Sequence, residues 1–398
     1  MSIVRHWLSR TDPARPALIL PDGWTLTFRE LMGREGRTDL QVLEGDAPKL
    51  ALGLIDCGLG GGTALPLPPD LRAAARQALI AQARLDASAK LALIIATSGS
   101  TGTPKGVRLS QRSIAAAARY GGQTFGLEAG DVWLCCLPLY FIAGAMILYR
   151  CLRAGATALV QEGFDPDAVA HALAERRITH ISLVPAMLAK LLDSAVPPAP
   201  SLRCVLVGGA APAPALIDRA RAAGWPIRLS YGMTETCATA LVDGHPLPGV
   251  RVRLSAAGTL EIATPARMAG YLGEADAGEW ITTRDLAAID ADGKVTILGR
   301  ADEMLITGGV KVHPLEVEAR LSACPGVREA GVTGLADPVW GDLIACAYEG
   351  EADEAAVETW CRQILPSPRR PRRFLRVAAL PRLASGKLDR PALRSLWR

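Results

Sequence analysis

No CxxC pair occurs among the nine cysteines of this 398-residue chain, and their number is odd. That usage speaks against a disulfide framework and for reduced thiols, so the expected compartment is the cytoplasm. Charge of one sign is not in excess either. Lys+Arg number 44 against 40 Asp+Glu, a formal net charge of +4, which is too mild to argue for nucleic acid as a partner. The opening MSIVRHWLSR carries Arg5 and Arg10 and has no apolar stretch long enough for a signal peptide. One run, 132–149, stays uncharged for eighteen positions, the length at which a membrane-spanning helix begins. Pro138 and Gly144 interrupt it, so it reads as a buried strand followed by a core helix and no span is expected. No internal repeat is present.

What remains is globular. At 49% hydrophobic and 21% charged residues the chain can bury a large core, and its length suits about two to three domains. From about residue 91 to 232 apolar strands alternate with amphipathic helices. Strands are expected at 91–96, 133–137, 178–184 and 202–207. Asp165 and Pro166 read as cap and first helical residue, and Gly224 as a helix stop. Such alternation means parallel βαβ units. After residue 245 the texture changes: 250–254 and 259–263 flank a Ser-Ala-Ala-Gly turn and read as a hairpin. A helix is expected at 314–321, and Val357, Trp360, Cys361 and Ile364 line another. The fold class is therefore α/β: a large N-terminal domain (1–302) with parallel sheets and a β-rich insert, then a small, mobile α+β domain (303–398). The final 37 residues hold eleven Lys+Arg and one acidic residue, Asp389. This is a solvated basic face or an electrostatic guide for a polyanion such as a nucleotide or coenzyme A.

The densest local signal is Thr97, Ser98, Gly99, Ser100, Thr101, Gly102 and Thr103, followed by Pro104, Lys105 and Gly106, directly after an expected strand. Glycines let backbone N–H groups turn inward and the hydroxyls add donors, a combination suited to phosphate oxygens. The Walker pattern cannot be laid on it. Downstream come Tyr231-Gly232-Met233-Thr234-Glu235-Thr236, Thr283-Arg284-Asp285, Gly299-Arg300-Ala301-Asp302 and Ser385-Gly386-Lys387-Leu388-Asp389. A carboxylate such as Glu235 beside a phosphate site is repulsive unless a hard cation sits between them.

These motifs, in this order, resemble those of the adenylate-forming enzymes, the superfamily of acyl- and aryl-CoA ligases, peptide-synthetase adenylation domains and firefly luciferase. Together they run from residue 97 to 389. The resemblance implies that Thr97–Gly106, Lys105 included, cradles the β- and γ-phosphates of ATP. Thr234 would contact the phosphates and Glu235 would hold Mg²⁺. Asp285 would accept both ribose hydroxyls, a good match of one acceptor group to two neighbouring donors, and Arg300 would also reach the ribose. Asp302 would be the hinge, and Lys387 would bridge the substrate carboxylate and the α-phosphate. Gly208, Gly209, Ala210 and Ala211 would lie under the adenine and the acyl group. Gly308 and Gly309 would line the thiol tunnel once the small domain has turned.

The implied reaction joins a carboxylic acid to AMP with loss of pyrophosphate, then passes the acyl group to the thiol of coenzyme A. The phosphopantetheine arm of a carrier protein is the alternative acceptor. Two stretches, 180–188 and 207–231, look most like the branch that acts on 2-succinylbenzoate. Phe141 stands where that family segment usually carries His, so the expected pocket, around Phe141, Gly208–Ala211 and Tyr231–Met233, is largely apolar. No cation for a second carboxylate is evident near it. The region before Thr97 reads as abbreviated. The missing His and the abbreviated N-terminal region motivate a further alternative, a catalytically quiet nucleotide-binding relative, against which the retained Lys387 argues. The sequence leaves room for a homodimer and points to no nucleic acid partner.

Overall fold

The computed structural model describes residues 2–86, 91–97 and 104–397. Among them the largest sheet has nine strands. Its parallel centre runs Ile227–Met233, Cys204–Val207, His180–Leu183, Val132–Cys135, Thr157–Val160 and Pro16–Ile19, with antiparallel strands added at both edges. A second sheet orders Gly270–Tyr271, Lys105–Ser110, Leu91–Thr97, Thr63–Pro66 and Leu40–Leu43. Helices Ala47–Gly60, Gln111–Phe125 and Ile142–Ala154 pack against both, burying Leu54, Ala118, Met146 and Tyr149 in one continuous core. Their ends are written locally. Ser110 caps the second with its side chain, and Gly126 and Gly155 take the left-handed turn that stops the second and third.

One expectation about this lobe holds and another changes. The uncharged run 132–149 is, as read, the strand Val132–Cys135 followed by the helix Ile142–Ala154. No helix among the described residues is long and apolar enough to cross a membrane. The α/β alternation, however, begins near residue 40 and not near 91. Leu40–Leu43, Ala47–Gly60, Thr63–Pro66 and Ala73–Asp86 form two βα units that lead into Leu91–Thr97. The second helix is hard to read from sequence because it buries only Leu79 and Ala83, too narrow a stripe to stand out as a periodic pattern.

The hairpin at 250–263 forms as expected, Arg251–Leu254 against Thr259–Ala263, and Trp280–Ile289 and Val295–Arg300 extend it into a four-stranded antiparallel sheet. The short helix Ala301–Glu303 follows, and the chain enters a separate sheet at Leu305–Thr307. That sheet, with helices Pro314–Leu321 and Glu354–Ile364, closes its own core around Val317, Val332, Tyr348 and Val357.

Candidate active site

Strand Ile227–Met233 places Tyr231 against the antiparallel sheet, where its hydroxyl donates to Asp285 Oδ2 at 2.6 Å. Asp285 and Arg300 face each other across the pairing of Trp280–Ile289 with Val295–Arg300, and Arg300 Nη1 lies 3.6 Å from Asp285 Oδ1. The same guanidinium grips Asp302 with two bonds of 2.9 Å, and Arg284 adds a third at 3.0 Å. Burial works to raise the Asp302 carboxyl, but these arginines outweigh it and hold the group below its ordinary value. Burial and the adjacent Asp285 push the Tyr231 phenol well up, so it stays a donor. Tyr231, Asp285, Arg300 and Asp302, drawn from three of the motifs, therefore form one connected cluster.

Past Tyr231 the backbone turns sharply. A side chain at Gly232 would place its Cβ 1.7 Å from the Ala238 carbonyl oxygen, so only glycine fits. Thr236 ties the turn, accepting from the Met233 N–H at 3.0 Å, and Cys237 and Ala238 both take positive φ. Such backbone is costly for residues with a side chain. It presents Thr234 and Glu235, both half-buried. Tyr271, which no motif flags, donates its hydroxyl to Glu235 Oε1 at 2.8 Å, and Lys105 Nζ sits 4.8 Å from the Tyr271 ring centre. Tyr271 owes its place to the pairing of Gly270–Tyr271 with Arg108 and Val107. No spacing in the sequence announces this long-range pairing. Lys105 also pairs with Glu274 at 2.9 Å. The Thr97 hydroxyl donates to the Lys105 carbonyl at 3.3 Å, and Ser98, Gly99, Ser100, Thr101, Gly102 and Thr103 lie outside the described residues.

Among the described residues no three His, Cys, Asp or Glu side chains converge on a metal position. A single carboxylate still fits Mg²⁺, which takes one or two carboxylates and completes its shell with phosphate oxygens and water. The half-buried Glu235 offers such a carboxylate.

The third group joins the two lobes. Gly386, at φ +79°, lies against Val184, whose Cγ2 is 2.8 Å from where a Cβ at Gly386 would stand. Val184 Cγ1 is 3.3 Å from the equivalent point on Gly209. The exposed Lys387 thus follows a turn seated beside the Gly208–Ala211 segment. Val184 lies inside the 180–188 stretch, where an apolar residue before Pro185 is the available sequence signal. Gly308 and Gly309 are not brought to these groups: Gly308 packs on Trp340 within the small lobe, and a Cβ at Gly309 would meet nothing within 4 Å. Phe141 stands at the start of the helix Ile142–Ala154, edge-on to Tyr140 at 4.7 Å.

A two-lobed α/β nucleotide-binding enzyme is the class that this fold and these clusters define. Residues 54–272 match the model of the AMP-binding enzyme and residues 316–387 that of the AMP-binding enzyme C-terminal domain. The chain belongs to the AMP-binding enzyme family. A probable 2-succinylbenzoate–CoA ligase of Mycobacterium tuberculosis is 36% identical over 378 residues, covering 89% of this chain and 97% of the relative. Among solved structures, o-succinylbenzoate CoA synthetase from Bacillus subtilis in complex with its acyl-adenylate intermediate superposes with a TM-score of 0.86 at 25% identity, covering 99% of this chain and 98% of that one. A double mutant of the same synthetase bound to a product analogue gives 0.70 at the same coverage and identity.

Proposed function

We propose that this AMP-forming ligase activates an aryl acid of the 2-succinylbenzoate class and transfers it to coenzyme A. The observation that carries the acid is the 36% identity to a probable 2-succinylbenzoate–CoA ligase over 97% of that protein's length. Tyr231, Asp285 and Arg300 hold the nucleoside: the carboxylate takes the ribose hydroxyls while the phenol and the guanidinium keep it in place. Residues 97–106 and Thr234 receive the phosphates. Mg²⁺, when bound at Glu235, supplies positive charge to the triphosphate oxygens.

A carboxylate and a triphosphate repel each other, and the Lys387 ammonium is the group that offsets this as the acid meets the α-phosphorus. A carboxylate oxygen forms the new bond to phosphorus, the bond to pyrophosphate breaks, and acyl-adenylate remains. The docking of Gly386 on Val184 supports this reading, as does the better superposition on the adenylate complex than on the product-analogue complex. For the second step the small lobe pivots at Asp302, withdrawing Lys387 and bringing the Gly308–Gly309 loop to the cleft. The thiol sulfur then attacks the acyl carbon and AMP leaves. The nine cysteines, all buried and unpaired, suit work in the reducing cytoplasm.

The test is ATP–pyrophosphate exchange over a panel of aryl and short acyl acids, followed by thioester formation with free coenzyme A and with a pantetheinylated carrier protein. Exchange greatest with 2-succinylbenzoate, and transfer to free coenzyme A, are the expected results. Exchange with other acids only rejects the acid. Transfer to the carrier alone makes the enzyme a stand-alone adenylation enzyme. No exchange with any acid makes it a quiet nucleotide-binding relative.

A further inference from the structure

Nine residues beyond Phe141, on the same helix, Arg150 is buried to 2% exposure. Its guanidinium rests against the rings of Phe125 and Trp133 at 5.1 and 5.7 Å. The titratable groups that bear on it are the thiols of Cys237, Cys151 and Cys204, not carboxylates, and its Nε has no hydrogen-bond partner. Burial lowers its pKa to about 10, so it remains charged near neutrality. A buried cation without an anion is costly even after relaxation. The fold nonetheless gives it one outlet: Nη2 donates to Thr239 Oγ1 at 3.2 Å.

That bond has a direction. A guanidinium only donates, so the Thr239 oxygen accepts, and its own proton is free to go on. The next oxygen is Ser230 Oγ at 3.0 Å. A hydroxyl that accepts from a cation is a stronger donor, so charge at Arg150 orders the chain outward from arginine to threonine to serine. Exposure rises along the same path, from Arg150 and Thr239, at 2% and 6%, to the half-buried Ser230. The Ser230 side chain ends against Gly208, with Cβ and Oγ 3.2 and 3.6 Å from where a Cβ at Gly208 would stand. The relay therefore delivers a polarised O–H to the wall on which the acid is proposed to lie, in a pocket whose other proposed members, Phe141, Ala211 and Met233, are apolar.

We infer that Ser230 hydrogen-bonds the second carboxylate of an aryl dicarboxylate substrate, with Thr239 and Arg150 as positioning residues that turn its hydroxyl toward the ligand. The inference rests on the acid class proposed above. It answers how a largely apolar pocket selects a dianion, since the cation acts from behind through two hydroxyls.

The experiment measures exchange kinetics with 2-succinylbenzoate and with 4-oxo-4-phenylbutanoate, the same skeleton without the ring carboxylate. Ser230→Ala removes a single hydroxyl, and its thermal melt serves as the folding control. Ser230→Ala and Thr239→Val are expected to raise KM for the dicarboxylate about tenfold or more, the scale of a lost hydrogen bond to a charged group. KM for the monocarboxylate, KM for ATP and kcat are expected to change by less than about twofold. Thr239→Ser, which keeps the relay oxygen, is expected to restore the dicarboxylate KM. Equal changes on both acids, or no change in Ser230→Ala, overturn the relay while leaving the substrate reading intact. A wild-type enzyme that exchanges neither acid overturns the substrate class and the relay's ligand together.

Discussion

Asp285 meets partners that arrive from two different sheets, Tyr231 from the large one and Arg300 from the strand beside it. Arg300 also clasps Asp302, so one side chain bridges the proposed ribose site and the proposed pivot. On the proposed roles, a nucleotide that engages Arg300 would compete with that grip. Lys387 is different in kind: it is exposed, and its loop is held by backbone bonds between Leu383 and Lys387 and by Arg382 donating to the Gly386 carbonyl at 2.9 Å. The turn survives loss of the ammonium, so Lys387→Ala removes charge without removing structure. Its expected effect is loss of ATP–pyrophosphate exchange by about a hundredfold or more, the scale of a lost preorganised charge. Thioester formation from supplied acyl-adenylate should be largely unaffected. Equal loss in both assays refutes the division of labour.

At the scale of elements, what the sequence made legible was what local chemistry dictates. Asp165 caps Pro166–Glu175, and Pro314–Leu321 begins at its proline. The 250–263 hairpin closes on its Ser-Ala-Ala-Gly turn, and Asp285 and Arg300 meet because a hairpin register sets them opposite each other. What stayed hidden depends on distant pairing or weak patterning. Tyr271 reaches Glu235 through a two-residue strand, and the helix Ala73–Asp86 buries too few residues to announce itself. Arg150, at the end of the uncharged run 132–149, carries no motif to mark it, yet it is buried to 2%. Motif residue Gly232 shows the local rule at its strictest, because its absent side chain admits the Ala238 carbonyl. Gly232→Ala must push that backbone aside, at a cost of about 1–3 kcal/mol as for other overpacked sites. A lowered melting temperature with weakened exchange is the expected result. An unchanged melt shows that the turn adapts and is not strained by a Cβ.

Over the whole molecule, nine thiols are buried and none is paired, and burial raises their pKa values: Cys204 from 9.0 to about 11 and Cys57 from 9.0 to about 12. Raised folded values mean that stability is fully present below the unfolded thiol pKa and drains away as pH climbs toward the folded one, since the unfolded chain then binds fewer protons. Thermal melts should fall across the window from about 9 to 12, and a thiol reagent at neutral pH should label the denatured chain but not the native one. Rapid native labelling contradicts the burial.

The contact between lobes is the larger question, since one lid must serve two steps. Gly386 adopts φ +79°, and the nearest Val184 methyl would lie 2.8 Å from a Cβ there. An alanine at this position meets two costs, about 1–2 kcal/mol for the left-handed backbone and a clash with a branched side chain that is itself packed on Gly209. The backbone cost is paid in every lid orientation, whereas the clash exists only while the lid rests on Val184. Gly386→Ala should therefore slow exchange by roughly tenfold or more while sparing thioester formation from supplied acyl-adenylate, the same split as Lys387→Ala but with the ammonium intact. Trimming the partner tests the cause. Val184→Ala in the Gly386→Ala background removes the colliding methyls and should recover most of the lost exchange. If the double variant stays as slow as the single one, backbone strain and not lobe docking sets the rate, and the seat of Lys387 on the Gly208–Ala211 wall is not what positions it.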